Sequence, residues 1–286
     1  MCAKHAAYSS GTGMIAAMSP PHFNSTSAPR TNALAGATLV ITRPAGTSAA
    51  FAARARARGG DALVVPGLSL RAAADAPAAR AALHAARNTQ AWIFTSPAAV
   101  RFAFSLAPDL TIAPPQRTLC VGSGTARVLA LHDVRAIAPC ASSDSEGLLA
   151  LPELADVRGR RIALVCAPGG RDLIAAELQR RGALVETIHV YQRMPPRLTG
   201  RHFEALARAP DPLITLVSSG AALTHLVALL PAPLLTRLRQ QTLVVSSARL
   251  ATLARGHGFE RISAATSALP DDLLEAAGNA LARHRL

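Results

Sequence analysis

Apolar residues in this chain gather into short unbroken runs. Each run ends in a turn of small polar residues and is followed by a stretch with apolar positions at helical spacing. Thr38–Thr42 is the first, a β-branched strand leading into Arg43-Pro44-Ala45-Gly46-Thr47-Ser48. Ser48 is placed to cap an Ala/Arg helix reaching Arg58, and Gly59-Gly60 supplies the left-handed residue that stops it. Ala62–Pro66 reads as the next strand. Trp92–Thr95 and Leu213–Ser218 are strands running into helices over Ala98–Leu106 and Ala221–Leu230. Leu119–Gly122 and Leu243–Ser246 lead into helices over Thr125–Leu131 and Ala248–Arg255. Strand Arg161–Cys166, helix Asp172–Arg181 with its stop at Gly182, and strand Leu184–Tyr191 complete the pattern. Strands alternating with helices need crossovers, hence parallel sheets covered on both faces, and such strands are apolar throughout. The fold class expected is α/β, built from open, doubly wound parallel sheets.

The pattern is written twice, about 123 residues apart. Leu39-Val40-Ile41 followed by Gly46 recurs as Ile162-Ala163-Leu164 followed by Gly169, and Arg58-Gly59 recurs as Arg181-Gly182. Phe94–Val100 recurs as Val217–Leu223, Thr118–Val121 as Thr242–Val245, and Ser145–Leu149 as Pro270–Leu274. A period this long exceeds the roughly 20–50 residues of a solenoid repeat. It marks two similar domains, and two such domains facing each other make a cleft.

In doubly wound sheets ligands sit outside the carboxyl ends of the strands. The turns Thr42–Thr47, Thr95–Pro97, Gly122–Thr125, Pro168–Arg171, Ser218–Gly220 and Ser246–Ser247 all follow strand ends. They offer hydroxyls, backbone N–H groups at helix starts and a few arginines, a set suited to anions. Singly, each reads as helix capping; their number and matched placement carry the functional reading. Gly122-x-Gly124 lacks the third glycine of a dinucleotide fingerprint, and no Gly-x-x-x-x-Gly-Lys loop is present. Trp92–Pro97 holds no acid, histidine or cysteine. His84, His132, His202, His225 and His257 read as helix or linker residues and His189 as strand packing, with none paired to Ser or Cys in triad order. Asp144 and Glu146 read as capping residues. An enzyme built on these turns works through binding geometry and backbone donors.

Composition narrows the classes. At 286 residues, 50% hydrophobic, the chain can bury two cores of ordinary size. No apolar run nears the ~18 residues of a membrane span, so no membrane partner is expected. Cys2, Cys120, Cys140 and Cys166 are scattered, which argues against a disulfide framework or a metal site and for a reducing cytoplasm. The net charge of +13 is carried by arginine, Lys4 being the only lysine. It reflects either a GC-rich coding sequence or a polyanionic partner, nucleic acid or a small molecule with many carboxylates. With 3% aromatic residues, stacking on single-stranded nucleic acid is disfavoured. Residues 1–36 lack periodicity and read as a disordered tail, with Met14 or Met18 as alternative starts and no secretory core.

Taken in order and spacing, several segments resemble the uroporphyrinogen-III synthase family over residues 38–284. They are Ile41-Thr42-Arg43-Pro44, Trp92–Val100, Val121–Ala126, Ser145–Leu149, Gly169-Gly170-Arg171-Asp172, Arg181-Gly182-Ala183 and Val190-Tyr191-Gln192-Arg193. The resemblance implies two flavodoxin-like domains joined by a two-stranded linker, one inserted in the other. The first combines 37–66 with 194–286, the second spans 72–186, and the linker strands lie at 66–71 and 187–193. It implies a cofactor-free lyase of heme biosynthesis, a cytoplasmic monomer acting on hydroxymethylbilane, a linear tetrapyrrole with eight carboxylates. The enzyme removes the terminal hydroxyl and closes the ring with inversion of the last pyrrole, through a spiro intermediate. Transient contact with the preceding enzyme of the pathway is implied, and no nucleic acid. Tyr191 matches the cleft tyrosine suspected of assisting departure of the hydroxyl. Arg43, Thr95, Ser96, Thr125, Ser218 and Ser219 match substrate-facing positions, with Gly122, Ser145, Gly170 and Arg171 in the shared motifs. The family's Gly-x-x-Thr turn is replaced by Ser246-Ser247-Ala248-Arg249-Leu250, so contacts there fall to Ser246, Ser247 or Arg249.

A different class with the same duplicated α/β plan is a two-domain small-ligand binding or sensor protein, against which the missing secretory signal counts. A nucleotide-sugar transferase would need an acidic residue to hold a ribose, and none is placed for it. A nucleic-acid binder fits the charge but not the turns.

Overall fold

The computed structural model describes residues 32–140, 144–169 and 173–284. Along the chain, β1 (Thr38–Ile41), α1 (Ala45–Arg56) and β2 (Asp61–Val64) form one βαβ unit, and β3 (Ser69–Ala72) leaves it. After α2 (Ala76–Ala85) come β4 (Ala91–Phe94), α3 (Pro97–Leu106), β5 (Arg117–Cys120), α4 (Ser123–Ala130) and the short α5 (Ser145–Leu149). Next are β6 (Arg161–Cys166), α6 (Leu173–Arg180), β7 (Leu184–His189) and the returning β8 (Tyr191–Met194). The chain ends with α7 (Gly200–Arg208), β9 (Leu213–Val217), α8 (Gly220–Leu229), α9 (Ala232–Gln240), β10 (Thr242–Val245), α10 (Ala248–Gly256), β11 (Ile262–Ala264) and α11 (Pro270–His284).

Two parallel sheets result. The first has the order β2-β1-β9-β10-β11 and the second β5-β4-β6-β7, while β3 and β8 pair antiparallel as a separate ladder. Both are the doubly wound arrangement, and each order reverses once, between β1 and β9 and between β4 and β6. Central strands are buried on both faces, as their unbroken apolar sequence requires. On β4, Trp92 and Phe94 enter one core layer with Ala99, Val100 and Phe104, while Ala91 and Ile93 enter the opposite layer with Leu148, Leu164 and Leu178. The first sheet is covered likewise, Leu223, Leu226 and Leu250 lying on one face and Leu34, Phe51 and Leu273 on the other.

Several boundaries differ from expectation for identifiable reasons. Residues 1–31 of the expected tail lie outside the described residues, but residues 32–36 belong to the fold: Leu34 is fully buried and its backbone N–H donates to the Arg58 carbonyl. Helix α1 begins at Ala45, so Ser48 is not its cap; its hydroxyl bonds back to the carbonyls of Arg43 and Pro44. Gly59 and Gly182 stop their helices with φ of 82° and 87°. Residues 187–189, expected in the ladder, finish β7 inside the second sheet, and the ladder strand starts after Val190.

The repeat and the sheets divide the chain differently. At an offset of about 123, β1-α1-β2 corresponds to β6-α6-β7, and β4-α3-β5 to β9 through β10. The first sheet therefore takes β1 and β2 from the first copy but β9 and β10 from the second, and the second sheet takes the remaining halves. Each sheet thus holds one βαβ unit from each copy of the repeat rather than one whole copy.

Candidate active site

The two switch points are built alike. At the end of β1, Thr42 donates its hydroxyl to the Leu216 carbonyl of β9 at 2.7 Å. At the end of β4, Thr95 donates to the Val165 carbonyl of β6 at 3.3 Å. Each threonine ties the two strands that diverge at its crevice, holding apart the turns that follow. The Thr95 hydroxyl proton is thus engaged within the protein and shapes the crevice.

Most of the other anticipated residues fall into four groups. Ser218 and Ser219 after β9 and Ser246 after β10 are half-buried, and among the described residues no partner engages their hydroxyls, so three hydroxyls of the first sheet are free to bind. In the second sheet Ser96 is occupied: its oxygen accepts the Ala99 N–H as the cap of α3 and lies 3.2 Å from the Tyr191 hydroxyl. Thr125 and Ser145 are 3% and 2% exposed, buried at the starts of α4 and α5. Gly122 is buried too, its extended backbone capping α4 and its carbonyl accepting the Thr125 N–H. Gly170 and Arg171 lie outside the described residues.

Arg43 turns away from the role expected of it. Its guanidinium stands over the Phe51 ring at 5.2 Å and donates to the Ala268 carbonyl, while Nε is buried without a partner. Burial pushes its pKa down. It braces the turn after β1 against the loop before α11.

Tyr191 is the first residue of β8, opposite Ala72. It follows Ile188 and Val190 at the end of the edge strand β7, and its ring packs with them in the core of the second sheet, 3% exposed and stacked on Phe102 at 5.4 Å. Its oxygen meets Ser96 and, at 3.5 Å, a donor nitrogen of Arg193, which also reaches the Pro168 carbonyl of the turn after β6. Arg193 donates into the phenolic oxygen, and between Ser96 and Tyr191 either hydroxyl can be the donor; when Ser96 donates, the phenolic O–H is left to donate elsewhere.

Beside the ladder lies a pocket of about 410 Å³. Its walls come from the start of α1 (Gly46, Thr47), the outgoing linker (Leu68 to Arg71), α3 (Ala98, Arg101, Phe102), and Pro196, Arg197 and His202 on the return. Phe102 forms one wall and carries Tyr191 on its other side. The arginines escaped sequence reading because nothing distinguishes a linker or helix-surface arginine in a chain this basic. The one available signal was that Arg71 lies in one crossing strand and Arg197 just past the other.

The chain matches the family model described as Uroporphyrinogen-III synthase HemD over residues 49–275. It is 34% identical to the uroporphyrinogen-III synthase of Salmonella typhimurium over 248 residues, covering 83% of this chain and 98% of that protein. The Escherichia coli uroporphyrinogen-III synthase is 31% identical over 242 residues, with the same coverage. Among solved structures, uroporphyrinogen-III synthetase from Helicobacter pylori aligns with a TM-score of 0.56 at 16% identity, over 84% of this chain and 97% of that one. A mutant uroporphyrinogen III synthase from Thermus thermophilus aligns with a TM-score of 0.55 at 20% identity, over 87% and 100%. At these identities the two structures speak for the fold: paired flavodoxin-like domains joined by the ladder.

Proposed function

This chain belongs to the uroporphyrinogen-III synthase family, and on that premise we propose that its cleft takes hydroxymethylbilane and closes it to uroporphyrinogen III as a cytoplasmic monomer. The terminal hydroxyl leaves as water once protonated, giving an azafulvenium cation. The substituted carbon of the last pyrrole attacks that cation, and opening and reclosure of the spiro intermediate invert the ring. The observation that carries this reading to the chain is the 34% identity to a synthase matched over 98% of its length.

The protein's share of the chemistry is positioning. Holding the last ring against the cationic carbon makes closure intramolecular, which in favourable cases removes roughly 7–11 kcal/mol of barrier. Ser218, Ser219 and Ser246 supply hydroxyl donors from the first sheet. We assign Tyr191 as the donor to the departing hydroxyl, with Arg193 donating into its oxygen and the Ser96 hydroxyl paired with it. For this donation the O–H must reach past the Phe102 ring, which stacks on it in the same core.

Purified protein mixed with freshly generated hydroxymethylbilane is expected to yield isomer III. Finding only isomer I, the product of spontaneous closure, would overturn the assignment.

A further inference from the structure

Among the described residues most arginines near an acid are paired with it: Arg54 and Arg58 on Asp271, Arg80 and Arg87 on Asp109, Arg180 and Arg181 on Glu177, Arg237 on Asp211. Arg71, Arg101 and Arg197 are different. They line one pocket from three elements, no aspartate or glutamate lines it with them, and among the described residues no ion pair or hydrogen bond engages them. Like charges converge on one concavity only at an electrostatic cost, which an anion removes. A guanidinium is always charged and matches a carboxylate in shape.

His202 adds a donor of fixed sense. Its Nδ1 accepts the Thr199 backbone N–H at 3.1 Å as part of the cap of α7, so the ring proton sits on Nε2, the free donor of a residue lining the same pocket. At the start of α1, Pro44 offers no capping side chain, and Gly46 in the first turn also lines the pocket.

We infer that this pocket is a carboxylate site, in which Arg71, Arg101 and Arg197 hold acidic side chains at one end of the substrate and fix the two domains relative to each other. The inference rests on the assignment of a polycarboxylate tetrapyrrole as substrate. The linkage to domain position follows from the walls: Thr47 and His202 belong to elements of the first sheet, Arg101 and Phe102 to α3 on the second, and Arg71 and Arg197 to the two linkers. An anion bound there touches every part that a hinge motion would separate. The three arginines are exposed, so replacing them leaves the cores intact.

The test uses the full chain and the triple variant R71Q/R101Q/R197Q. A control, R117Q/R135Q/R255Q, changes exposed arginines away from the pocket by the same charge. Benzenehexacarboxylate is titrated calorimetrically into each at fixed ionic strength, and turnover of hydroxymethylbilane is measured in parallel. The triple variant is expected to bind the hexacarboxylate at least ~10-fold more weakly. Its KM is expected to rise about as much with kcat nearly unchanged, the mark of lost uniform binding, while the control matches the parent. Equal hexacarboxylate binding by parent and triple variant, no binding by the parent, or an unchanged KM in the triple variant overturns the inference. Should the parent form only isomer I, the substrate assignment fails while the titration still decides whether the pocket holds carboxylates.

Discussion

At the scale of single residues, Tyr191 carries the sharpest question. Its ring is a core residue by burial, and its oxygen, held between Ser96 and Arg193, is the donor we propose. Tyr191→Phe keeps the ring on Phe102 and removes only the O–H. General-acid assistance is typically worth ~10²–10⁴-fold, and the lower end is expected here because the leaving group departs readily by itself. The measurement is kcat for isomer III with thermal stability as control. A Phe variant of normal stability with turnover within about twofold of the parent would make Tyr191 structural. The position was legible in the sequence through its neighbours Val190 and Arg193, whereas its burial was not, because that depends on how β7 continues into the ladder. Arg43 fails in the other direction: a strand-end arginine in a cleft turn looks like a ligand contact, and only the Phe51 ring and the Ala268 carbonyl reveal a brace.

At the scale of elements, the linker leaving the first sheet is fixed by close packing. Gly67 donates its N–H to the Thr42 carbonyl, accepts from His225, and passes so near α8 that a Cβ there would lie 2.6 Å from the Ala222 Cβ and 2.7 Å from its carbonyl oxygen. Gly67→Ala therefore has to push α8 or the linker aside, and overpacking of this kind costs about 1–3 kcal/mol. Gly256→Ala, which meets nothing within 4 Å, is the matched control and should stay close to the parent. Comparing the two by denaturant unfolding checks this; equal stabilities would show that the linker gives way without resistance. Such contacts leave no trace in a hydrophobic pattern. The buried strands do, since unbroken apolar runs bounded by glycine stops identify β1, β4, β6, β9 and β10 within a residue or two. Weak patterns were missed: β11 is a three-residue edge strand, and α7 and α9 carry few buried side chains.

At the scale of the whole molecule, the repeat was plain in the spacing, while its division into domains came from the family resemblance and not from the repeat itself. Spacing shows that β1 and β6 are counterparts, and the pairing of β1 with β9 and of β4 with β6 shows the two copies exchanging halves across the ladder. This has a physical consequence. Residues 37–159 contain one full copy of the repeat, yet they hold β1 without β9 and β4 without β6, so two central strands each lose a buried edge. Unpaired backbone groups at such an edge are costly, and the apolar faces lose the helices of the partner unit. Residues 69–194 span both copies but contain the whole second sheet, with β3 and β8 closing the ladder beneath it. The repeat taken alone would single out the first segment; the pairing singles out the second. Expressed separately, 69–194 is expected to unfold cooperatively as a monomer, and 37–159 to remain unfolded or to fold only by associating, two copies completing each other's sheets. Circular dichroism melts combined with sedimentation distinguish these outcomes, and a cooperatively folded monomer of 37–159 would show that the exchange of halves is not what holds the sheets together.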